Sequence, residues 1–171
     1  LDISMNPSTQ AAVLQDVADG LEHQGIHKLV IMNGHGGNDF RQMVREMWPR
    51  YQMFICTLDW WRWFDASLFN EPGDHAGEME TSLMQVFAPD WVLPLSEAGD
   101  GRERKFRIAA LAQGPAWTQR DWTQAPQDTG VGSPRAATVE KGRQCAAQVT
   151  EKIAQFLVEL AAADVDDMYE E

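Results

Sequence analysis

Lys28-Leu29-Val30-Ile31-Met32, followed at once by Asn33-Gly34-His35-Gly36-Gly37-Asn38, is the stretch that decides the fold. The first part is a short, mostly apolar run, which predicts a buried strand. The second part is a glycine-rich turn with a single histidine. In open α/β sheets, ligands bind outside the carboxyl ends of the strands, so this turn is placed where a site is expected.

The flanking sequence extends this pattern into a strand–helix–strand unit. Apolar residues spaced three and four apart from Ala11 to Leu21 predict an amphipathic helix, with Asn6 as its N-cap and Pro7 at its first position. A second helix is predicted from Phe40 to Met47, and a second strand from Tyr51 to Thr57. Such a unit pairs its strands in parallel. The sequence therefore predicts a parallel or mixed sheet covered by helices.

After the second predicted strand, the sequence predicts two helices and a region of less definite structure. A helix is expected from about Gly77 to Phe87, and a strand or two between Trp91 and Trp122. Apolar residues at helical spacing from Val139 to Leu160 predict a long last helix. We expect one domain over residues 1–163 and an acidic tail over 164–171. Because the chain opens at Leu1 without a methionine, we expect it to be a fragment of a longer protein.

Composition excludes several function classes. The 171 residues carry 14 Lys and Arg against 26 Asp and Glu, a formal net charge of −12. Nucleic-acid and anionic-membrane binding both need clustered cations, so neither is expected. No run approaches the roughly 20 apolar residues of a spanning helix. Cys56 and Cys145 form no C-x-x-C and no zinc-finger pattern, so we expect a reducing, cytoplasmic setting.

The histidine of the first turn has three possible roles. A neutral imidazole is a good ligand for zinc, manganese or iron, so His35 is a candidate metal ligand. It is equally compatible with a tight turn in which the ring is hydrogen-bonded for structure. A phosphate-binding turn is a third alternative, although the P-loop lysine and the G-x-G-x-x-G pattern are both missing.

A second candidate site is the segment from Asp74 to Ser82. Glu78 and Glu80 are two residues apart, so on a helix they point roughly 200° from each other. Glu80 shares a side with Leu83 and other apolar residues, which predicts that it is buried and needs a cation, a metal or a proton. Glu78 is expected to be solvated near the helix start. His75 is either functional or part of a helix cap.

Two further features allow a functional and a structural interpretation. Trp60 and Trp61, with Trp63 close by, could form the wall of a substrate pocket or could pack in a core or an interface. The turn from Gly130 to Pro134 could line a site or simply lead into the last helix.

Taken together, the two histidine motifs resemble the creatininase (creatinine amidohydrolase) family. The resemblance is carried by residues 33–38 and 75–82, in this order and about forty residues apart, and it extends to residues 129–134 and 137–142. It implies a three-layer αβα sandwich and hydrolysis of a non-peptide, often cyclic, C–N amide bond in a small-molecule substrate. It further implies one or two divalent metals, zinc, manganese or iron, and a homo-oligomer, a hexamer in many members.

The resemblance also implies roles for individual residues. His35 would be a metal ligand, Glu80 a metal ligand with a catalytic role, and His75 a proton-transfer group that protonates the leaving nitrogen. The metal would lower the pKa of a bound water and polarise the amide carbonyl. The expected substrate pocket consists of Asn33, Gly34, Gly36, Gly37, Asn38, Trp60 and Trp61.

Two departures from the family keep an alternative open. Creatininase proper has a metal-binding glutamate two residues after the motif histidine, where this chain has Gly37. The Glu-x-His pair and aspartate that family members carry before the first helix have no counterpart here. The resemblance therefore implies that residues 1–163 are the C-terminal portion of a creatininase-like domain. His35 and Glu80 supply two ligands, whereas a catalytic zinc usually has three plus a water. The alternative is a non-catalytic creatininase-like module for binding or subunit interaction.

Overall fold

The computed structural model describes residues 4–170. Within them, five helices and two strands follow one another as α1 Pro7–His23, β1 Lys28–Asn33, α2 Arg41–Met47, β2 Phe54–Asp59, α3 Glu78–Phe87, α4 Ala109–Ala112 and α5 Val139–Ala162. Single 3-10 turns lie at Trp48–Arg50, Trp60–Arg62, Ala66–Leu68, Pro89–Trp91 and Leu95–Glu97.

Helix α1 begins where the sequence predicted. Pro7 is at the start of the helix, where its missing N–H costs nothing. Asn6 is the residue before it, but its side chain makes no capping hydrogen bond. The helix runs through Ala18, whose side chain is fully buried, and ends at His23. The predicted helix is confirmed, and it extends beyond the apolar residues from Ala11 to Leu21 at both ends.

The two strands pair in parallel, from Lys28 opposite Phe54 to Asn33 opposite Asp59. Their carboxyl ends therefore lie side by side, directly before the turns that follow them. The predicted burial of β1 is wrong, since the Met32 side chain is 57% exposed and Asn33 is the one residue of β1 classed as buried. Among the described residues the sheet has only these two strands, so each strand lacks a neighbour on one side.

The predicted α/β fold with a parallel sheet is confirmed. The strand or two expected between Trp91 and Trp122 are not found among the described residues. That region instead holds α4, short turns and a single bridge between Glu103 and Pro126. Frequent glycine and proline interrupt the ladder that a strand would need there.

The first of two compact units contains the residues up to Trp63 and those from Lys152 onward. Its core consists of Ala18, Met47, Met53 and Ile55, with partly buried Leu14, Leu21, Leu29, Ile31, Val44 and Tyr51 packed around them. Lys28 closes the C-terminus of α5, because its Nζ donates to the carbonyl oxygens of Leu160 at 2.7 Å and Ala163 at 2.6 Å.

The second unit, Phe64–Glu151, contains α3 and the first half of α5. Ser82 is fully buried, and its Oγ donates to the Glu78 carbonyl at 2.7 Å and accepts from the Thr138 N–H at 3.2 Å. Gly142 packs here against the backbone of α3, since a Cβ at this position would stand 2.1 Å from the Ser82 carbonyl oxygen. The two helices can approach this closely because position 142 has no side chain.

Gly142→Ala should lower the free energy of unfolding by about 1–3 kcal/mol, the usual cost of forcing extra volume into a packed contact. Gly20→Ala is the matched control, since Gly20 is also inside a helix but has nothing within 4 Å of its added Cβ. It should stabilise by about 0.5–1 kcal/mol through helix propensity. Urea unfolding of both variants measures the difference, and equal effects of the two substitutions would contradict the close packing at Gly142.

The predicted single domain over 1–163 and the predicted tail over 164–171 stay predictions. Across residues 4–170, the structure contains no helix with both the length and the apolar character needed to span a bilayer.

Candidate active site

Asn33 organises the turn that follows β1. Its side chain is 2% exposed, and its Oδ1 accepts from the His35 N–H at 3.1 Å and from Asn38 Nδ2 at 3.2 Å. Its Nδ2 donates to Asp59 Oδ1 at 3.0 Å, which joins the ends of the two strands. Arg62 lies 3.2 Å from the same carboxylate of Asp59. The buried amide therefore fixes both the turn and its position beside β2.

The His35 ring lies on the exposed side of this turn. Its Nδ1 accepts a hydrogen bond from the Gly37 N–H at 2.9 Å. A Cβ on residue 37 would lie 3.0 Å from that nitrogen, so the glycine leaves room for the ring to fold back. With Nδ1 as acceptor, the neutral ring carries its proton on Nε2.

The two tryptophans of the predicted pocket lie beside the same turn. Trp60 Nε1 donates to the Gly34 carbonyl at 3.3 Å, and Trp61 packs edge-on against Trp60 with 6.0 Å between ring centroids. Trp61 also lies near Gly36, 3.7 Å from the position that a Cβ would take. The structure thus brings the seven predicted pocket residues together around His35, while Trp63 packs 5.6 Å from Phe156 as a structural residue.

In the second unit, His75 is fixed by the turn that precedes α5. The Asp74 and His75 N–H groups donate to the Val131 carbonyl at 2.8 and 3.1 Å, and the Val131 N–H donates back to the His75 carbonyl at 2.8 Å. Gly132 has a φ of +106°, and a Cβ there would stand 2.5 Å from the Gly73 Cα. The Gly130–Pro134 turn therefore braces the histidine segment rather than only leading into α5.

Between His75 and helix α3 the backbone is strained. Ala76 has a φ of +50°, a left-handed conformation that costs a residue with a Cβ roughly 1–2 kcal/mol. Its N–H donates to Glu80 Oε2, so the carboxylate folds back over the helix start. The predicted burial of Glu80 is wrong, since the residue is half-buried and helix α3 turns a different side inward.

Glu78 is the carboxylate that is buried, at 0% exposed, so its predicted solvated position is also wrong. Burial would raise its pKa, but hydrogen bonds from Lys141 Nζ and from the backbone N–H groups of Glu71 and Asn70 lower the pKa below its ordinary value. The physical reason for the reversal is Gly142, because its close approach turns the Glu78–Ser82 side of α3 towards α5.

Sequence reasoning missed the neighbours of the His75 ring. Trp122 packs against it with 5.1 Å between ring centroids at 65°. Arg120 lies over the indole ring of Trp122, with its Cζ 4.8 Å from the ring centroid. The guanidinium also pairs with Asp74 and, at 3.0 Å, with Glu103. No motif marks these residues, although Arg120 and Trp122 do stand two apart, on either side of Asp121.

The comparison with known families decides the relationship. The family model "Creatininase: Creatinine amidohydrolase" matches residues 1–157. The chain belongs to the creatininase family. The resemblance of the two histidine motifs is thereby confirmed.

Solved structures agree with this creatininase-family assignment. A proposed creatinine amidohydrolase from Bacteroides fragilis is 39% identical, with a TM-score of 0.88 over 98% of this chain and 66% of that protein. A manganese form of creatininase is 24% identical, with a TM-score of 0.73 over 94% and 67% of the two chains. A creatininase variant of zinc–zinc type is also 24% identical, with a TM-score of 0.72 over 94% and 67%. The last two likenesses concern the fold.

The creatininase-family chain spans 66% of the length of the Bacteroides fragilis protein. No curated protein matches it. Activity, substrate and partners are therefore matters for a proposal.

The described residues do not by themselves fit the divalent metal of this family. Within residues 4–170, no group of three or more His, Cys, Asp or Glu side chains is arranged to hold an ion. His35 belongs to the first unit, and its Nδ1 is engaged by Gly37. Glu80 belongs to the second, and its Oε2 is engaged by Ala76.

Proposed function

We propose that this chain is part of a metal-dependent amidohydrolase that cleaves a non-peptide C–N amide bond, cyclic amides included, in a small-molecule substrate. The single observation that carries the proposal is the strained turn at Ala76. It lies between His75 and the Glu80 carboxylate, which accepts the hydrogen bond of its N–H. Strain of this kind persists where the surrounding structure enforces it, and it concentrates at functional sites.

His75 is proposed as the group that protonates the leaving nitrogen. An amide nitrogen leaves readily only when it gains a proton, and a histidine is well suited to donate one near neutral pH. The His75 backbone is held by Val131 on both its N–H and its carbonyl, so the side chain starts from a fixed Cα. A fixed proton donor is what an oriented transfer requires.

His35 of the first unit and Glu80 of the second are each proposed as a ligand of a divalent ion, zinc, manganese or iron. Glu80 is also proposed to take part in catalysis. Support comes from the manganese and zinc–zinc forms of the creatininase relatives. When bound, such an ion would supply Lewis-acid and water-activating chemistry.

The remaining parts of the proposal rest on the same family. The seven residues around His35, namely Asn33, Gly34, Gly36, Gly37, Asn38, Trp60 and Trp61, are proposed to line the substrate pocket. A homo-oligomer, a cytoplasmic location and the absence of nucleic-acid and membrane partners complete it.

Metal content and hydrolysis test the proposal on the same preparations. The full-length protein that contains this chain is stripped with a chelator, reloaded with zinc, manganese or iron and dialysed. The metal is then quantified by mass spectrometry, and ring opening of lactam and cyclic-urea substrates is followed by NMR. We expect the unmodified full-length protein to retain metal and to hydrolyse at least one substrate, whereas residues 1–171 alone should bind metal weakly. His75→Ala should retain metal but lose about 10²–10⁴-fold in kcat, the range for a lost general acid.

His35→Ala should abolish metal retention in the full-length protein. Full metal occupancy in that variant would overturn the assignment of His35 as a ligand. A folded, unmodified full-length protein that neither retains metal nor opens any ring would overturn the proposed hydrolase. That result would favour the non-catalytic binding or subunit-interaction module.

A further inference from the structure

We infer that Trp122 and Arg120 are positioning residues that hold the imidazole of His75 in one orientation. The inference rests on the proposed function, because the proposed function gives His75 the role of proton donor. It concerns two residues about 45 positions away in the chain that the histidine motif does not include.

The backbone contacts of His75 concern its peptide groups. Val131 sets the position of the peptide groups, but the two side-chain torsions remain to be set by whatever touches the ring. Trp122 is such a contact, with centroids 5.1 Å apart and planes at 65°. Edge-to-face packing is a preferred and directional geometry for aromatic rings.

Trp122 is not held there by a surrounding core, since the residue is 40% exposed. Arg120 provides the restraint, because its guanidinium lies over the indole at 4.8 Å. The guanidinium is in turn held by Glu103 at 3.0 Å and by Asp74. Arginine suits this role because a planar guanidinium can stack on a ring and bind carboxylates at the same time.

The contacts form a closed path. Asp74 is the residue before His75, so the carboxylate that orients Arg120 and the imidazole that meets Trp122 come from adjacent positions of one strained turn. A displacement of the ring would therefore have to move Trp122, Arg120 or the turn itself. This is the arrangement expected for a group whose orientation matters to a reaction.

Histidine NMR tests the inference without any substrate. Ring carbons and protons of His23, His27, His35 and His75 are labelled with ¹³C, and His75→Asn identifies the signals of His75. In the unmodified chain, the ring current of Trp122 should displace the His75 signals from those of a solvated histidine. Trp122→Leu should abolish this displacement, and Trp122→Phe should restore part of it. Arg120→Met should reduce it more than Arg120→Lys does.

Trp117→Leu is the matched control, since Trp117 lies five residues away and its side chain is 83% exposed. It should leave the His75 signals unchanged. The inference is overturned if Trp122→Leu changes these signals no more than Trp117→Leu does. Should Trp122→Leu fail to fold, Trp122→Phe and Arg120→Met decide, and unchanged His75 signals in both would overturn it.

A kinetic measurement separates this inference from the proposed function. If the full-length protein hydrolyses an amide, Trp122→Leu should lower its kcat by up to about 100-fold with KM within twofold. Trp122→Phe should recover much of the loss, and unchanged kcat in both variants would overturn the inference. If no amide is hydrolysed, the proposed function fails, while the NMR result still decides whether Trp122 and Arg120 hold the ring.

Discussion

Lys141→Met should lower the free energy of unfolding by about 3–5 kcal/mol, the cost of removing one partner from a buried ion pair. The Glu78 side chain is 0% exposed, and its Oε1 pairs with Lys141 Nζ. The other oxygen accepts from the N–H groups of Asn70 at 2.8 Å and Glu71 at 2.9 Å. These two amides favour an ionised carboxylate, which would remain buried without its cation.

Urea unfolding of Lys141→Met measures this loss. Lys152→Met is the matched control, because Lys152 is an exposed lysine on the same helix, and it should change stability by less than about 0.5 kcal/mol. Adding Glu78→Gln to Lys141→Met should recover part of the loss, since an amide costs less to bury than a charge. Equal stabilities of the two lysine variants would show that Glu78 does not depend on Lys141.

Gly132→Ala should cost about 2–5 kcal/mol, the sum of left-handed backbone strain and of forced overlap. Gly132 has a φ of +106°, and its Cβ would stand 2.5 Å from the Gly73 Cα and 2.9 Å from the Pro72 carbonyl oxygen. Backbone atoms of a neighbouring turn cannot move away as a flexible side chain could. The turn that would have to give is the one that leads into His75.

Gly114→Ala separates the two causes. Gly114 has a φ of +94°, but nothing lies within 4 Å of its Cβ position. The control should therefore cost only about 1–2 kcal/mol. The His75 ring signals should change in Gly132→Ala and not in Gly114→Ala. Equal destabilisation by the two substitutions would mean that the approach of Gly132 to Gly73 contributes nothing.

The regular elements were predictable because their signals are local. The apolar spacing in α1, α3 and α5 and the apolar run of β1 each lie within one short window of sequence. The start of β2 was predicted three residues early. The Trp48–Arg50 turn precedes it, and regular pairing begins only at Phe54, opposite Lys28. The residue at which pairing begins depends on the path of the preceding turn towards the sheet, and a short stretch of sequence does not contain that information.

The candidate site was predictable only in part. The turns of His35 and His75 were found because glycine, histidine and carboxylate cluster in sequence. The burial of Glu78 and Glu80 was predicted wrongly, because the helical pattern equates the apolar side of α3 with its buried side. The buried side is set instead by Gly142, more than fifty residues away. Trp122 was missed for the same reason, since its contact with His75 is long-range.

The lysine that closes helix α5 has a consequence for the order in which the molecule assembles. Lys28 and Leu160 are 132 positions apart, whereas Ala18, Met47 and Ile55 of the first core all precede Trp63. During synthesis on a ribosome, these core residues can collapse long before the C-terminal half of α5 has been made. Contacts of such high sequence separation form late and slow the folding reaction. Of the two compact units, the one that contains β1 and β2 therefore begins synthesis before the other and receives its last residues after it.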